Sequence, residues 1–172
     1  MSEKLEQLNK AAKETAETDF LNCCGSQTWA RKMAKARPFA DVAALIKQAE
    51  QIWLNLESQD WLEAFAAHPK IGAKKAVLQQ SAQAAEWSES EQSGTQTAAD
   101  SLRTELEKAN RLYEEKFGFI FIVCATGKSA EEMLDLCRRR LNNDADSELR
   151  IAADEQRKIT EIRLKKLLEA EN

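Results

Sequence analysis

The chain has 172 residues, of which 43% are hydrophobic and 31% charged, a balance typical of a globular protein with one sizeable core. Its 25 basic and 29 acidic residues leave a net charge of -4, which gives no reason to expect a nucleic acid or an anionic membrane as partner. Only 5 glycines and 2 prolines occur, and this scarcity of turn residues argues against a β-sandwich or barrel and favours an all-α fold.

Neither end of the sequence shows a recognisable targeting signal, and the cysteines form no CxxC pair. The first twenty residues are polar and lack the apolar centre of a secretory signal, and no run of 18 apolar residues predicts a transmembrane helix. We therefore expect a cytoplasmic protein without a disulfide framework, in which the thiols are reduced and buried: Cys23, Cys24, Cys124 and Cys137.

Three helices are predicted in the first half of the chain. Ser26 is placed to cap the run QTWARKMAKAR, which ends before Pro38 because proline disfavours helical geometry in its predecessor. The run DVAALIKQAEQIWLNL has apolar residues at helical spacing, and a shorter helix, DWLEAFAA, follows Ser58 and ends at His68-Pro69. The apolar stripes of these helices predict three core tryptophans: Trp29, Trp53 and Trp61.

The second half alternates between irregular and strongly helical stretches. Residues 70–97 are polar, contain Gly72 and Gly94, and exceed the usual connection length of about six residues, so we expect an irregular segment that is functional or mobile. A helix then follows over about residues 98–117 and ends at Gly118.

The segment FIFIVCA, residues 119–125, is the one β-prone stretch of the sequence. A lone strand cannot form a sheet, so we predict a buried extended segment between helices. Ser129 and Glu132 form a capping box that opens a helix to about Asn142, and a last helix is expected over about residues 146–169. Without internal repeats or low-complexity linkers, residues 1–172 are predicted to form a single-domain helical bundle.

His68 is the only histidine of the chain, so any imidazole chemistry depends on it or on a second subunit. Pro69 biases His68 towards an extended backbone, and the unperturbed pKa of imidazole suits proton transfer near neutrality. The alternative is a histidine that interacts with the last carbonyls of the preceding helix. Spacing does not separate these two interpretations.

Two further polar features are candidates for ligand binding. Ser88, Glu91 and Gln92 combine a hydroxyl, a carboxylate and an amide that suit a polar, urea-like ligand, although a solvated turn or helix start has the same composition. Arg163 lies four residues from both Ile159 and Leu167, hence on the apolar stripe of the last helix. A buried arginine needs an anionic or carbonyl partner, and a structural salt bridge or a snorkelling rim residue are the alternatives.

Metal and phosphate motifs are missing from the sequence. One histidine, scattered cysteines and no HExxH or EF-hand spacing predict that no metal is bound. Residues 125–129, ATGKS, imitate the end of a P-loop, but the position of its first glycine is Ile122, whose bulk would obstruct a phosphate cradle.

Five motifs in order resemble a known family. They are CCGSQTWARKMAKARPF, DWLEAFAAHPKIG, the S-x-x-E-Q of residues 88–92, NRLYEEKFGFIFIVCATGKS and KITEIRLKKLL. Together they resemble the decarboxylases of 2-oxo-4-hydroxy-4-carboxy-5-ureidoimidazoline (OHCU), over about residues 18–168. The resemblance implies a single all-helical domain, a homodimer, a small-molecule ureidoimidazoline substrate, no metal and no organic cofactor. It further implies the last step from urate to (S)-allantoin.

The resemblance also implies roles for individual residues. His68 matches the catalytic histidine and Glu91 the carboxylate beside it, whereas Lys70 stands where many relatives have arginine. The positions matched to substrate binding are Pro69, Ser88, Gln92, Phe121, Ile122, Val123, Cys124, Ala125 and Arg163.

The substrate carries a carboxylate and a hydroxyl on one carbon next to a ring C=N, so it contains its own electron sink. We therefore expect His68 to act as general acid/base, tuned by Glu91, while Arg163 and Gln92 hold the ring and the ureido group. Two alternatives remain: a hydrolase or epimerase of allantoin-like ureides with the same polar pocket, and a non-catalytic helical interaction module.

Overall fold

The computed structural model describes residues 3–71, 82–96 and 99–169. Within these ranges the regular structure is entirely α-helical, which confirms the predicted all-α fold. The helices are α1 (Glu3–Lys10), α2 (Lys13–Cys24), α3 (Gln27–Lys35), α4 (Val42–Leu54), α5 (Ser58–Ala66), α6 (Ala82–Glu91), α7 (Ser93–Gln96), α8 (Asp100–Phe117), α9 (Ala130–Arg140) and α10 (Ala145–Leu168). No helix of the described part of the chain is long and apolar enough to cross a membrane.

The residues group into two compact units, one formed by residues 1–64 and 157–172 and the other by residues 65–156. The first unit packs around aromatic side chains: the rings of Phe20 and Trp29 meet edge to face with centroids 5.9 Å apart, and the Trp29 indole donates to the carbonyl of Ala49 at 3.1 Å. Trp29 and Trp53 are buried as predicted, whereas Trp61 is half-buried.

The core of the second unit lies between α8, α9 and the segment of residues 119–125. Tyr113, fully buried on α8, packs its ring edge to face against Phe121 with the centroids 5.3 Å apart. Met133 and Cys137 close the core from α9. Residues 119–125 are non-helical, and residues 121–125 are all buried, so the predicted extended segment is confirmed.

The helix ends agree closely with the capping residues read from the sequence. The Ser26 hydroxyl accepts from the Trp29 amide at 3.2 Å. Both bonds of the predicted capping box are present, from the Glu132 amide to Ser129 Oγ at 3.2 Å and from the Ser129 amide to Glu132 at 2.7 Å. Gly118 ends α8 in the left-handed conformation, with φ of 78°. All four cysteines are buried free thiols, as expected.

The expectation of an irregular segment over residues 70–97 is wrong where the structure describes it, because α6 and α7 lie there. Ala84, Ser88 and Glu91 form the buried face of α6. Their spacing is helical, but their small or polar side chains leave no apolar stripe to detect. Gly94 does not mark a turn: it lies within α7, where a Cβ atom would stand 2.3 Å from the Lys128 carbonyl oxygen. Gly72, also part of the expected irregular segment, falls outside the described residues.

Candidate active site

The corner that carries His68 is fixed by helix α8. The chain leaves α5 at Ala66, and the His68 amide donates to the carbonyl of Phe65 at 3.1 Å. Beyond Pro69, the Asn110 side chain donates to the carbonyl of Ile71 at 3.0 Å, and Lys70 pairs with Glu114 at 2.5 Å. Asn110 and Glu114 lie one turn apart on the same face of α8, so the backbone on both sides of His68 is held in place.

The imidazole of His68 is buried and contacts a side chain that is distant in sequence. Its Nε2 lies 2.6 Å from Oε1 of Gln156, which is itself fully buried on α10. This tertiary contact favours a positioned imidazole over a histidine that caps its own helix. Gln156 was not among the candidates from the sequence. The helical spacing that placed Arg163 on the buried face of the last helix also places Gln156 there, since Gln156 lies four residues after Ala152 and three before Ile159.

Helix α6 carries the polar motif, and two of its three members face inward. Ser88 and Glu91 are 3% and 8% exposed, and the half-buried Gln92 follows them at the end of the helix. A solvated turn is therefore the wrong interpretation of this motif. The negative charge of Glu91 contributes to raising the pKa of the Cys124 thiol, after the larger effects of burial and of Glu155. The end of α6 thus lies near the extended segment.

Side chains hydrogen-bond the backbone of the extended segment, residues 121–125. These bonds satisfy buried backbone N–H and C=O groups that are not paired within a helix or a sheet. Arg140 donates to the carbonyl of Ile122 at 2.6 Å. The Cys124 amide donates to Glu155 on α10 at 2.6 Å, and its carbonyl accepts from Lys128 at 2.8 Å. Side chains of three different origins therefore fix the conformation of this segment.

Behind the segment lies a buried polar network that sequence reasoning missed. Arg140 and Glu148 form an ion pair with the closest atoms 2.5 Å apart, and their side chains are 9% and 0% exposed. The Tyr113 hydroxyl donates to the same carboxylate, and Asn143 donates to its other oxygen at 2.9 Å. Burial keeps the pKa of Tyr113 above its ordinary value, so this hydroxyl is a donor throughout the physiological range. In sequence, Arg140 is the last of three consecutive arginines, and only the tertiary structure shows that it is buried while the other two are exposed.

Within the second unit, contacts to α10 connect the His68 corner with the extended segment. Consecutive residues of α10, Glu155 and Gln156, bind the Cys124 amide and the His68 ring, respectively. Glu91 joins them through its electrostatic effect on Cys124. The arrangement combines an imidazole, a carboxylate and a rigid backbone segment, the groups needed to transfer a proton and to orient a small polar ligand.

Arg163 belongs to the first unit, where it is 3% exposed, so its predicted inward orientation is confirmed. Its Nη1 lies 3.5 Å from the carbonyl oxygen of Asn22. Burial raises the pKa of the Cys24 thiol to about 12, and the nearby guanidinium opposes that shift. The guanidinium also opposes the rise that burial causes in the pKa of Cys23.

Comparison with known proteins identifies the family. The family profile described as OHCU decarboxylase matches residues 9–165, nearly the whole chain. The chain belongs to the OHCU decarboxylase family. The resemblance of the five sequence motifs to this family is thereby confirmed, and the match extends across both compact units.

Relatives of this OHCU decarboxylase family member differ in length. It is 41% identical over 168 residues to the uric acid degradation bifunctional protein TTL of Arabidopsis thaliana, covering 91% of this chain but 48% of that protein. The chain thus spans about half the length of that relative. It is 27% identical to a 2-oxo-4-hydroxy-4-carboxy-5-ureidoimidazoline decarboxylase of Haloferax volcanii, with 93% of each chain covered.

A solved structure supports the same assignment. A crystal structure of OHCU decarboxylase determined in the presence of (S)-allantoin is similar to this chain with a TM-score of 0.76 and 40% sequence identity. The similarity covers 92% of this chain and 99% of that one.

Proposed function

We propose that this chain catalyses the decarboxylation of OHCU to (S)-allantoin, the last step from urate to allantoin. Membership of the OHCU decarboxylase family supports the reaction. The observation that carries the proposal is the His68 imidazole, the only one in the chain, buried and hydrogen-bonded by Gln156 in a setting of buried polar side chains. Burying such groups is unfavourable unless they are hydrogen-bonded, so their arrangement indicates a built site.

The chemistry of the substrate explains how a site made only of amino-acid side chains can catalyse this decarboxylation. When the bond to the carboxylate breaks, its electron pair moves towards the neighbouring ring C=N, and carbon dioxide leaves. The ring nitrogen then takes up a proton, the hydroxyl on the carbon that lost the carboxylate gives up its proton as a carbonyl forms, and a proton reaches the ring carbon that bears the ureido group. Delivery of this last proton to one face gives a single enantiomer. The reaction thus supplies its own electron sink, so we propose that the enzyme works without metal or organic cofactor.

Within this proposal, His68 handles the proton as general acid/base, and Glu91 tunes it. The support for Glu91 is its burial on α6 and its proximity to Cys124 in the segment that the resemblance assigns to the ligand. Ser88 and Gln92, on the same helix, offer a hydroxyl and an amide to the ureido group. We propose that Pro69 and residues 121–125 complete the substrate-binding surface with their rigid backbone.

Arg163 is proposed to bind an anionic or carbonyl group of the substrate. The support is its burial on α10, together with the family resemblance, which matches Arg163 to a substrate-binding position. A planar guanidinium makes two parallel hydrogen bonds that the ammonium of lysine does not reproduce. Arg163→Lys should therefore raise KM or lower kcat, whereas Lys165→Ala, an exposed position on the same helix, should change neither.

The decisive experiment follows the decay of freshly generated OHCU with the purified chain and measures the optical activity of the product. We expect faster decay and a single allantoin enantiomer, with activity that survives exhaustive chelation. His68→Ala should remove roughly 10²–10⁴-fold of the acceleration, the usual contribution of a general acid/base group. Racemic allantoin formed at the uncatalysed rate would refute the proposal, and full stereoselective activity of His68→Ala would refute the role of His68.

We further propose that the chain acts as a homodimer in the cytoplasm, as the family resemblance implies. Light scattering should then give twice the chain mass of 19.4 kDa. A concentration-independent monomer would contradict the dimer.

A further inference from the structure

Gln156 contacts the His68 imidazole, and the chemistry of its amide has consequences for the proton that His68 moves. Its Oε1 lies 2.6 Å from Nε2 of His68, and its side chain is fully buried. A carbonyl oxygen of an amide accepts hydrogen bonds and cannot donate them. With Oε1 facing the ring, a contact of this length requires a proton on Nε2.

We propose that Gln156 is a positioning residue that holds His68 in the tautomer protonated on Nε2, so that Nδ1 is the atom at which the proton enters and leaves during the reaction. This inference rests on the proposed role of His68 as acid/base. The assignment of Nδ1 does not depend on which group contacts that atom. An imidazolium near neutrality loses only one of its two N–H protons, and the buried acceptor retains the one on Nε2.

The choice of an amide over a carboxylate fits this role. Histidine tautomers in proteins are commonly fixed by an acceptor that receives one ring N–H. A carboxylate there would also stabilise the imidazolium, whereas the neutral amide fixes the proton on Nε2 without adding charge. Gln156 thus leaves the protonation of Nδ1 to the substrate and to the groups around it.

The surroundings make the contact rigid enough to select one tautomer. The neighbouring Glu155 accepts from the Cys124 amide at 2.6 Å, which ties this turn of α10 to the extended segment. The backbone around His68 is held by α8 through Asn110 and Glu114. The chain around both partners of the hydrogen bond is therefore anchored by contacts independent of that bond.

Because the chain has one histidine, the tautomer can be read directly. In protein labelled with ¹⁵N-histidine, two ring-nitrogen signals report His68 alone. We expect a pyrrole-type signal for Nε2 and a pyridine-type signal for Nδ1 in the neutral form. A neutral form protonated on Nδ1 would overturn the proposal, since it would mean that the amide NH₂ of Gln156 donates to Nε2.

Two substitutions separate positioning from structural support. Gln156→Met keeps the length of the side chain but removes the acceptor, so the share of the Nδ1-protonated form should rise and kcat should fall by roughly tenfold to 10⁴-fold with little change in KM. The upper bound is the cost of a wrong tautomer in a serine protease. Gln156→Glu retains an acceptor oxygen and should keep Nε2 protonated. Arg150→Met, exposed on the same helix, is the matched control and should match the wild type in both readouts.

Each outcome bears on the proposal. An unchanged tautomer and an unchanged kcat in Gln156→Met would overturn it, as would loss of Nε2 protonation in Gln156→Glu. Should Gln156→Met not fold, the wild-type and Gln156→Glu spectra still decide the tautomer. The spectra need no substrate, so a wild type that is protonated on Nε2 but has no decarboxylase activity would refute the proposed function and leave the assignment of the tautomer intact.

Discussion

The buried pair of Arg140 and Glu148 predicts a large and specific loss of stability. Arg140→Met removes donors to a carboxylate with no exposed surface and to the carbonyl of Ile122. Breaking a buried ion pair costs about 3–5 kcal/mol, because the remaining charge stays buried without compensation. An unsatisfied carbonyl adds about 1–3 kcal/mol. The sum is comparable with the whole stability of a typical domain, about 5–15 kcal/mol.

The neighbouring residue supplies the control. Arg139 precedes Arg140 on the same helix but is exposed, so Arg139→Met should change the free energy of unfolding by no more than about 0.5 kcal/mol. A double variant, Arg140→Met with Glu148→Leu, removes both charges. It should be more stable than Arg140→Met alone, because no uncompensated charge remains buried.

Urea unfolding followed by far-ultraviolet circular dichroism measures these free energies for five proteins: the wild type, Arg139→Met, Arg140→Met, Glu148→Leu and the double variant. Equal effects of the substitutions at residues 139 and 140 would refute the assigned burial of the pair. Additive effects in the double variant would refute the coupling between Arg140 and Glu148, since groups in direct contact are expected to couple by at least about 0.5 kcal/mol.

Two further predictions concern packing and charge. Gly94→Ala should destabilise the protein by about 1–3 kcal/mol in thermal or urea unfolding, because its Cβ would meet the Lys128 carbonyl at 2.3 Å, whereas Ser93→Ala should have little effect; equal stability would contradict the close approach. Burial raises the pKa of Asp19, so its neutral form favours folding below the unperturbed pKa of about 3.9, and this contribution is lost as the pH rises through the folded-state value. Asp19→Asn should therefore gain stability relative to the wild type between about pH 4 and neutrality in paired urea titrations, and a constant difference would contradict the assigned burial.

Local signals in the sequence were sufficient for much of the fold. Ser26 and Ser129 cap helices as predicted, because a cap depends on residues within one turn of each other. The β-prone run of residues 119–125 was correctly separated from the helices by its composition and by Gly118. Arg163 was correctly assigned to a buried face from its spacing to Ile159 and Leu167.

Two of the failures have a common physical origin in tertiary contact. Helix α6 escaped prediction because its inner face consists of Ala84, Ser88 and Glu91, which no apolar periodicity marks. Gly94 was interpreted as a break, although its missing side chain serves a close approach to the backbone of Lys128. The omission of helices α1 and α2 has a different origin, because their buried residues, Leu5 and Leu8 in α1 and Ala16, Phe20 and Cys23 in α2, do recur at helical spacing.

The sequence supplied candidate residues for the site but not their contacts. Recognition of the motifs selected His68 and Glu91, whereas the hydrogen-bond partner of His68, Gln156, lies 88 residues away and belongs to no motif that the resemblance used. No local pattern encodes such a pairing. It follows from the direction in which α10 runs past the corner, and that direction depends on the whole packing of the second unit.

Helix α10 shows how one element can set two parts of a site at once. Consecutive residues of a helix point about 100° apart, so Glu155 and Gln156 reach different neighbours from nearly the same height. Glu155 accepts from the Cys124 amide, where a full charge strengthens the bond. Gln156 accepts from His68, where a full charge would favour the imidazolium over the neutral ring. Each position thus carries the acceptor that suits its donor, and a change in the register of α10 would misplace the segment and the histidine together.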